Sequence, residues 1–389
     1  MFPRLLDLTA YKHSLFLFGP RQVGKTHLIK QSLTPHLYIN LLLQKEYLRY
    51  AKDAALLAKE VALLDKKKGT LLIVIDEIQR CPELLNEIHA LMESQPSLRF
   101  VLTGSSARKL KRTGVNLLGG RAVTCSLFPL TYLEMGKDFI LQDALRFGGL
   151  PKMVLEKEKS DKILLLQSYV ETYLKEEIQQ EALTRNVPAF ARFLELAAFE
   201  NGNLLNFNNL AREVGVHAKT IKEYFQIVED TLLGFFLLPY TRSHREKLVL
   251  HPKFYFFDTG VVGALKNELS SDLVAGSSPY GDAFEHWCIL EIKRLLSYRR
   301  IDAKISFFRT SDGAEVDLIL EINKRVWAIE IKSSSKPSSA DLRGLKSFIK
   351  DHSYKRAVCL CQTPRPYLLD KIEVLPWRDF MVELGTTLK

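Results

Sequence analysis

Eight consecutive residues near the start of the chain have the types and spacing that bind phosphate groups. They lie between an apolar run at 14–18 and a helical pattern at 27–32. Glycines let backbone N–H groups surround phosphate oxygens at a helix N-terminus, a lysine reaches the β- and γ-phosphates, and a threonine hydroxyl binds Mg²⁺. The pattern GxxxxGKT therefore predicts a nucleotide-binding loop made of Gly19, Pro20, Arg21, Gln22, Val23, Gly24, Lys25 and Thr26.

Two adjacent acids follow a fully apolar run at 71–75, which has the pattern of a buried parallel strand. In open α/β sheets, ligands bind at the carboxyl ends of the strands, so Asp76 and Glu77 should lie beside the loop. We expect Asp76 to hold Mg²⁺ together with Thr26, and Glu77 to polarise the attacking water. Lys25, Glu77 and the metal then make a hydrolytic site rather than a storage site.

Hydroxyl side chains follow the next predicted strand, at 98–102. Either Thr103 or Ser105 could contact the γ-phosphate or the water, as a sensor residue does. The sequence does not decide between the two. The alternative is that these hydroxyls cap the helix that follows.

The composition is that of a globular protein, with 389 residues, 47% hydrophobic and 26% charged, which excludes a mainly disordered, collagen-like or coiled-coil chain. The net charge of +10 favours an anionic partner such as nucleic acid. Five cysteines without a CxxC pair indicate a reducing compartment. With no signal peptide pattern and no apolar run of membrane-spanning length, we expect a cytoplasmic protein without a membrane partner.

The middle of the chain has the spacing of a helix-turn-helix. Apolar residues before Gly215 and a second helical pattern at 218–229 are followed by predicted strands at 234–239 and 254–257. Together these elements predict a winged helix that binds DNA through its second helix and a basic wing. The exposed face of the second helix is mixed in charge, so a winged helix used only for protein packing stays open. The wing residues are Arg242, Arg245 and Lys247.

The last third carries a second set of charged residues. A helix predicted at 280–298 contains Glu285, and two predicted strands contain Asp317 and the pair Glu330 and Lys332. Asp317 and Glu330 could coordinate a divalent cation, Lys332 could stabilise a pentavalent phosphate, and Glu285 could complete the site.

On the segments 19–26, 75–79 and 102–106 and on Gly120-Arg121, the chain resembles AAA+-type ATPases fused to a domain of long-unknown function. The resemblance spans about residues 15–377. It implies a sheet with an extra strand between the two Walker strands, and ATP and Mg²⁺ as ligands. It also implies Arg121 as an arginine finger, and hence a homo-oligomer such as a hexamer, with ATP between subunits. The alternative is that Arg121 is a surface arginine paired with an acid.

The C-terminal set is similar to the PD-(D/E)XK nuclease superfamily, although Val316 stands where the motif has proline. This resemblance implies an αβββαβ core that is either an active nuclease or a retained scaffold that binds DNA or another partner.

The expected fold is therefore α/β. A P-loop ATPase domain of the AAA+ type should span 1–135, a helical lid 136–187, a winged helix 188–265 and a nuclease-like α/β domain 275–389. The expected function is ATP binding and hydrolysis coupled to DNA binding. The alternatives are an ATP-regulated nuclease and a nucleotide-gated switch that binds protein.

Overall fold

The computed structural model describes residues 2–64, 69–105, 110, 119–174, 186–241 and 251–386. The first third forms a parallel five-stranded sheet in the order β2-β3-β4-β1-β5. As the resemblance implies, β4 lies between β1, which precedes the loop, and β3, which ends at the acids. The strands are β1 Ser14–Phe18, β2 Leu37–Asn40, β3 Leu71–Asp76, β4 Leu98–Gly104 and β5 Ala122–Ser126.

Hydrophobic cores cover both faces of this sheet. Leu15 and Leu17 belong to one core, whereas Phe16 and Phe18 belong to the other, because successive strand residues point to opposite faces. With both faces covered, the carboxyl edge is where polar residues can gather. The helices of this region are α1 Lys25–Ser32, α2 Gln44–Lys52, α3 Leu56–Ala62 and α4 Leu84–Ser94.

The middle region is mainly helical. Helix α10 (Phe207–Val214) is followed by Gly215 in a left-handed conformation, and α11 (Ala218–Asp230) begins three residues later, so the order helix, turn, helix expected from the sequence is present. The basic residues Arg242, Arg245 and Lys247 lie outside the described residues. A π-helical turn at Tyr169–Leu174 follows α8. The helices are α5 Tyr132–Met135, α6 Leu141–Phe147, α7 Pro151–Leu155, α8 Lys159–Ser168, α9 Val187–Phe199, α10 Phe207–Val214, α11 Ala218–Asp230 and α12 Thr259–Leu265.

The strands of the middle and last regions form one eight-stranded mixed sheet, in the order β12-β13-β11-β10-β9-β8-β6-β7. Strand β6 pairs with β7 on one side and runs parallel to β8 on the other, so the expected winged-helix and C-terminal segments share a sheet. The strands are β6 Gly234–Pro239, β7 Lys253–Phe256, β8 Ala303–Arg309, β9 Glu315–Ile322, β10 Arg325–Ile331, β11 Arg356–Cys361, β12 Tyr367–Leu369 and β13 Ile372–Pro376.

Three further helices pack against this sheet: α13 Ser278–Tyr298, α14 Arg343–Asp351 and α15 Trp377–Thr386. The core beside α13 and α15 contains Trp287 and Trp377, and the core beside α14 contains Leu345 and Phe348. Within the ranges given above, no helix combines the length and the apolar character needed to cross a membrane.

Candidate functional site

The loop between β1 and α1 has the backbone shape that exposes N–H groups. Gly24, which precedes α1, has φ 94°, and Gln22 has φ 64°, both in the left-handed region. Residues other than glycine rarely adopt this conformation, which explains a glycine at position 24. The Arg4 side chain supports the loop, because its Nη1 donates a hydrogen bond to the Val23 carbonyl at 2.8 Å.

The Lys25 ammonium lies inside the loop. Lys25 is buried, and its Nζ donates to the carbonyls of Gly19 at 2.7 Å and Pro20 at 3.0 Å. The side chain is therefore already positioned over the space that the loop encloses. A phosphate there would meet a cation that has little conformational freedom left to lose.

Asp76 is the centre of a hydroxyl cluster at the carboxyl edge of the sheet. It is fully buried, and its Oδ2 accepts hydrogen bonds from Thr26 Oγ1 at 2.7 Å and from Tyr38 Oη at 2.8 Å. Its Oδ1 accepts one from Thr103 Oγ1. Burial and the hydrogen bond to Asp76 raise the pKa of Tyr38, so that its phenol remains a donor. The carboxylate is thus held in one orientation.

Glu77 is held in an unusual backbone conformation with φ 63°. Its backbone N–H donates to Thr103 Oγ1 at 3.0 Å. Gln79 Nε2 donates both to the Glu77 carboxylate and to Ser105 Oγ, the latter at 3.3 Å. Gln79 thus connects the second acid to the end of β4. Among the described residues, the buried Gln79 Oε1 has no hydrogen-bond partner.

The structure brings together the loop, Asp76, Glu77, Thr103 and Ser105, all of which the sequence predicted. Both hydroxyls contribute, Thr103 to the acids and Ser105 to Gln79, so neither alone is assigned as the sensor. The capping alternative involves residues that follow Ser105 and lie outside the described ranges.

Three residues of this site were missed from the sequence: Arg4, Tyr38 and Gln79. Tyr38 had a detectable signal, because it lies near the end of a strand that neighbours β3. Gln79 lies two residues after Glu77. Arg4 had no signal in the local sequence, since its contacts reach positions as distant as Tyr298.

Arg121 lies near the amino ends of the strands, at the opposite end of the sheet from the loop. It precedes β5, whose residue Ala122 pairs with Ser14 at the start of β1, whereas the nucleotide loop follows the end of β1. The separation is about one strand length, roughly 15 Å. Arg121 Nη2 pairs with Glu93 Oε1 at 2.8 Å, so within its own chain it is not part of the loop site.

The donor set fits magnesium and a nucleotide. The Thr26 hydroxyl and the Asp76 carboxylate are hard oxygen donors that already lie 2.7 Å apart. Mg²⁺ in nucleotide sites takes one or two protein oxygens and completes its coordination with phosphates and water. The loop N–H groups and the Lys25 ammonium supply the positive charge that a triphosphate requires.

The C-terminal residues lie where two antiparallel strands come together. In the register that pairs Leu318 of β9 with Ile329 of β10, Asp317 lies beside Glu330. Both acids are buried, with exposed fractions of 6% and 4%. Burial, and then the neighbouring carboxylate of Glu330, raise the pKa of Asp317. Burial also raises the pKa of Glu330 to about 7, although the ammonium of Lys332 opposes the shift.

Each acid of this set has a donor within the protein. The backbone N–H of Ile331 donates to Asp317 Oδ2 at 2.7 Å, and the Lys332 ammonium lies 2.7 Å from Glu330 Oε1. Glu285 Oε1 accepts from Tyr255 Oη, also at 2.7 Å. The sequence thus predicted four residues that do assemble.

A lysine that the sequence analysis missed lies among them. Lys253 Nζ is 2.5 Å from Glu315 Oε1 and 3.6 Å from Glu285 Oε1. The available signal was one charged residue among aromatic neighbours in β7, all of whose residues are buried.

In the part of the chain that the structure describes, no three His, Cys, Asp or Glu side chains are grouped so that they could hold a metal ion. The donor set here does not fit the divalent cation that the nuclease resemblance implies.

Comparison with known families divides the chain into three matched segments. Residues 11–136 match a family described as AAA domain. Residues 139–272 and 280–380 match two families, each described as a domain of unknown function, DUF8612 and DUF4143 respectively.

Several curated proteins are similar along most of the chain. An uncharacterized protein of Mycobacterium tuberculosis is 28% identical over 342 residues, covering 87% of this chain and 74% of the relative. An uncharacterized protein of Methanocaldococcus jannaschii is 23% identical over 357 residues, covering 82% of this chain and 77% of the relative.

Among solved structures, the Bacillus subtilis DNA clamp loader delta protein is 13% identical and matches with a TM-score of 0.24, covering 57% of this chain and 84% of that one. A Vibrio cholerae protein is 11% identical, with a TM-score of 0.18, and covers 96% of this chain and 92% of that one. The family matches lead to one coarse conclusion: the N-terminal part of the chain is similar to AAA domains, and the C-terminal part is similar to DUF4143 domains.

Proposed function

We propose that this protein binds ATP and hydrolyses it with Mg²⁺. The observation that carries the proposal is the cluster around Asp76, in which hydroxyls of the loop helix, of β2 and of β4 meet on one buried carboxylate beneath a phosphate-binding loop. Mg²⁺ held by Thr26 and Asp76 would supply positive charge that stabilises the charge developing on the phosphates.

The chain's own residues divide the remaining work. The Lys25 ammonium exchanges the loop carbonyls for phosphate oxygens and stabilises their charge. Thr26 and Asp76 hold the metal. Glu77, at the rim of the site, orients and polarises water. Tyr38 and Thr103 keep the carboxylate of Asp76 in place.

The test separates binding from turnover. We expect Lys25→Ala to lose both ATP binding and ATPase activity. Glu77→Gln should retain binding of a fluorescent ATP analogue while its turnover falls about 100-fold or more, because a positioned base contributes 10²–10⁴-fold. The exposed residues Lys45 and Glu83 provide matched controls, and Lys45→Ala and Glu83→Gln should both match wild type. Unchanged ATPase activity in Lys25→Ala would refute the proposal.

Arg121 is proposed to act on the ATP of a neighbouring copy in a homo-oligomer. Its exposed guanidinium and its position away from its own loop support a role in trans. Arg121→Ala and Lys25→Ala should each be inactive alone, and mixing them should restore part of the activity, since an intact loop can then meet an intact arginine. No restoration, or full activity of Arg121→Ala alone, contradicts the role.

DNA is proposed as a partner, on the basis of the net charge of +10 and the helix-turn-helix joined to a hairpin. Binding of a duplex should weaken steeply with salt, because phosphate contacts release counterions. Reversing two exposed charges of α11, with Lys219→Glu and Lys222→Glu, should weaken it more than reversing Lys12 and Lys59 elsewhere. Equal effects of both pairs would show that α11 does not contact the DNA.

A further inference from the structure

The C-terminal carboxylate cluster contains a buried ammonium. Lys253 is 4% exposed, although lysine is among the residues least often buried. Its Nζ lies within ion-pair distance of Glu315 and Glu285, and 5.6 Å from the centroid of the Phe307 ring. The lysine comes from β7, whereas the acids come from α13 and β9. The side chain thus reaches the cluster from a neighbouring segment of the chain.

Buried carboxylates need compensating positive charge, since an unpaired charge in the interior costs several kcal/mol. A divalent cation or an ammonium can supply it. Burial lowers the pKa of Lys253, but the carboxylates of Glu285, Asp317 and Glu315 outweigh burial and raise it. Lys253 therefore stays charged and supplies compensation beside Glu285, Glu315 and Asp317, as Lys332 does beside Glu330.

A divalent ion would also have to compete with donors of the protein for its ligands here. Mg²⁺, Mn²⁺ and Ca²⁺ need several oxygens that are free to point at one position. The oxygens described above already accept hydrogen bonds or ion pairs: Asp317 Oδ2 from a backbone N–H, Glu330 Oε1 from an ammonium and Glu285 Oε1 from a phenol. Glu330 Oε2 is buried and has no hydrogen-bond partner among the residues that the structure describes. Three of the oxygens that a divalent ion could use are therefore already paired with donors of the protein.

We infer that Lys253 is the resident cation beside Glu285, Glu315 and Asp317, in the cluster that Glu330 and Lys332 complete, and that its ammonium excludes a divalent metal ion from this nuclease-like arrangement. The cluster then fastens β7 to α13 and β9 instead of activating water. The inference is independent of the proposed ATPase activity, which uses another site.

The experiment titrates the full, nucleotide-free chain with Mn²⁺ and measures free Mn²⁺ by electron paramagnetic resonance. Wild type and Asp317→Asn should have the same isotherm, within about twofold, because neither holds an ion in the cluster. Lys253→Met keeps the length of the side chain but removes the charge. It should bind one Mn²⁺ per chain that wild type does not bind, and Asp317→Asn in that background should abolish the gain.

Lys304→Met is the matched control. It removes the same charge from an exposed lysine of β8, which pairs with Glu321. It should leave the isotherm unchanged. A wild-type chain that binds Mn²⁺ in a manner abolished by Asp317→Asn overturns the inference. So does a folded Lys253→Met chain that gains no Mn²⁺. If circular dichroism shows that Lys253→Met does not fold, the comparison of wild type with Asp317→Asn decides by itself.

Discussion

Gln79 shows how a single side chain can control the second acid of the nucleotide site. It is buried, and its amide donates to the Glu77 carboxylate and to Ser105 at the end of β4. Glu77 lies at a strained backbone position, so its direction depends on such contacts. Gln79 touches no reacting group in this arrangement. It is a positioning residue that acts through Glu77.

We therefore expect Gln79→Ala to lower kcat about tenfold while the affinity for an ATP analogue changes less than twofold, because positioning contributes to turnover and not to nucleotide binding. Steady-state kinetics and an equilibrium titration measure the two quantities. The exposed Gln167 of α8 is the control, and Gln167→Ala should match wild type. A purely structural role for Gln79 would instead lower the affinity and the melting temperature together.

At the scale of elements, the approach of α14 to β9 depends on Gly344. A Cβ atom there would lie 1.6 Å from the Glu315 carbonyl oxygen, so any larger residue must push the helix off the strand. The same helix carries Leu345 and Phe348 into the core that it shares with β9. The backbone that positions Glu315 therefore rests on this contact.

Gly344→Ala should lower the free energy of unfolding by about 3 kcal/mol, since the core is already filled and cannot absorb the added atom. Gly281→Ala provides the contrast. Position 281 lies within α13, and the nearest atom to a Cβ there is 3.7 Å away. This substitution should be neutral or stabilise by up to about 1 kcal/mol, because alanine favours the helix. Urea unfolding measures both, and equal effects would contradict the close approach.

The contact between α13 and β7 predicts that the stability of the fold depends on pH. His286 is buried, with its Nε2 2.7 Å from the Phe256 carbonyl, and burial lowers its pKa to about 3, assisted by the cations of Arg294 and Lys266. Below about pH 6.5 the unfolded chain takes up a proton at this position and the folded chain does not. Stability therefore falls as the pH falls from 6.5 towards 3.

From pH 7 to pH 5 this histidine should cost the fold about 2 kcal/mol. His286→Gln retains an N–H donor but does not titrate, so it should show a pH dependence weaker by that amount. His27→Gln, which changes an exposed histidine, should behave as wild type. Denaturant unfolding of the three chains at both pH values is the measurement. Parallel pH profiles for all three would exclude His286 as the cause.

At the scale of the whole molecule, Arg4 joins the nucleotide loop to the C-terminal part of the chain. One guanidinium donates to the Val23 carbonyl of the loop, to Glu134 of α5 and, at 3.1 Å, to the Tyr298 hydroxyl at the end of α13. The backbone N–H of Phe128 donates to the same hydroxyl at 2.9 Å. The loop thus rests on a network that extends to the helix carrying Glu285.

Tyr298→Phe should cost about 1–3 kcal/mol of stability, because it leaves buried donors without their acceptor, and should weaken Mg-ATP binding severalfold through Arg4. Tyr280→Phe removes a hydroxyl at the opposite end of α13, where it accepts from Gln362. It should leave nucleotide affinity unchanged. Calorimetric titration with Mg-ATP compares the two, and an unchanged affinity in Tyr298→Phe would show that the network ends before the loop.

Most residues of the candidate nucleotide site could be identified from the sequence because they occur in short motifs. The loop is eight consecutive residues, and each remaining acid or hydroxyl directly follows an apolar strand. Parallel strands bring these ends to one edge, so the local pattern predicts the assembly. The same reasoning predicted Asp317 and Glu330, since a hairpin register depends on a short stretch of chain.

Tertiary structure alone decided the contacts between residues that are distant in sequence. Nothing local indicates that Arg4 reaches Tyr298, that β6 pairs with β8, or that Lys253 lies between Glu315 and Glu285. The types of residue are visible in the sequence, but which charge neutralises which depends on how helices and sheets pack. A carboxylate set with the spacing of a metal site therefore holds an ammonium instead, because burial requires compensation and the fold supplies it from another strand.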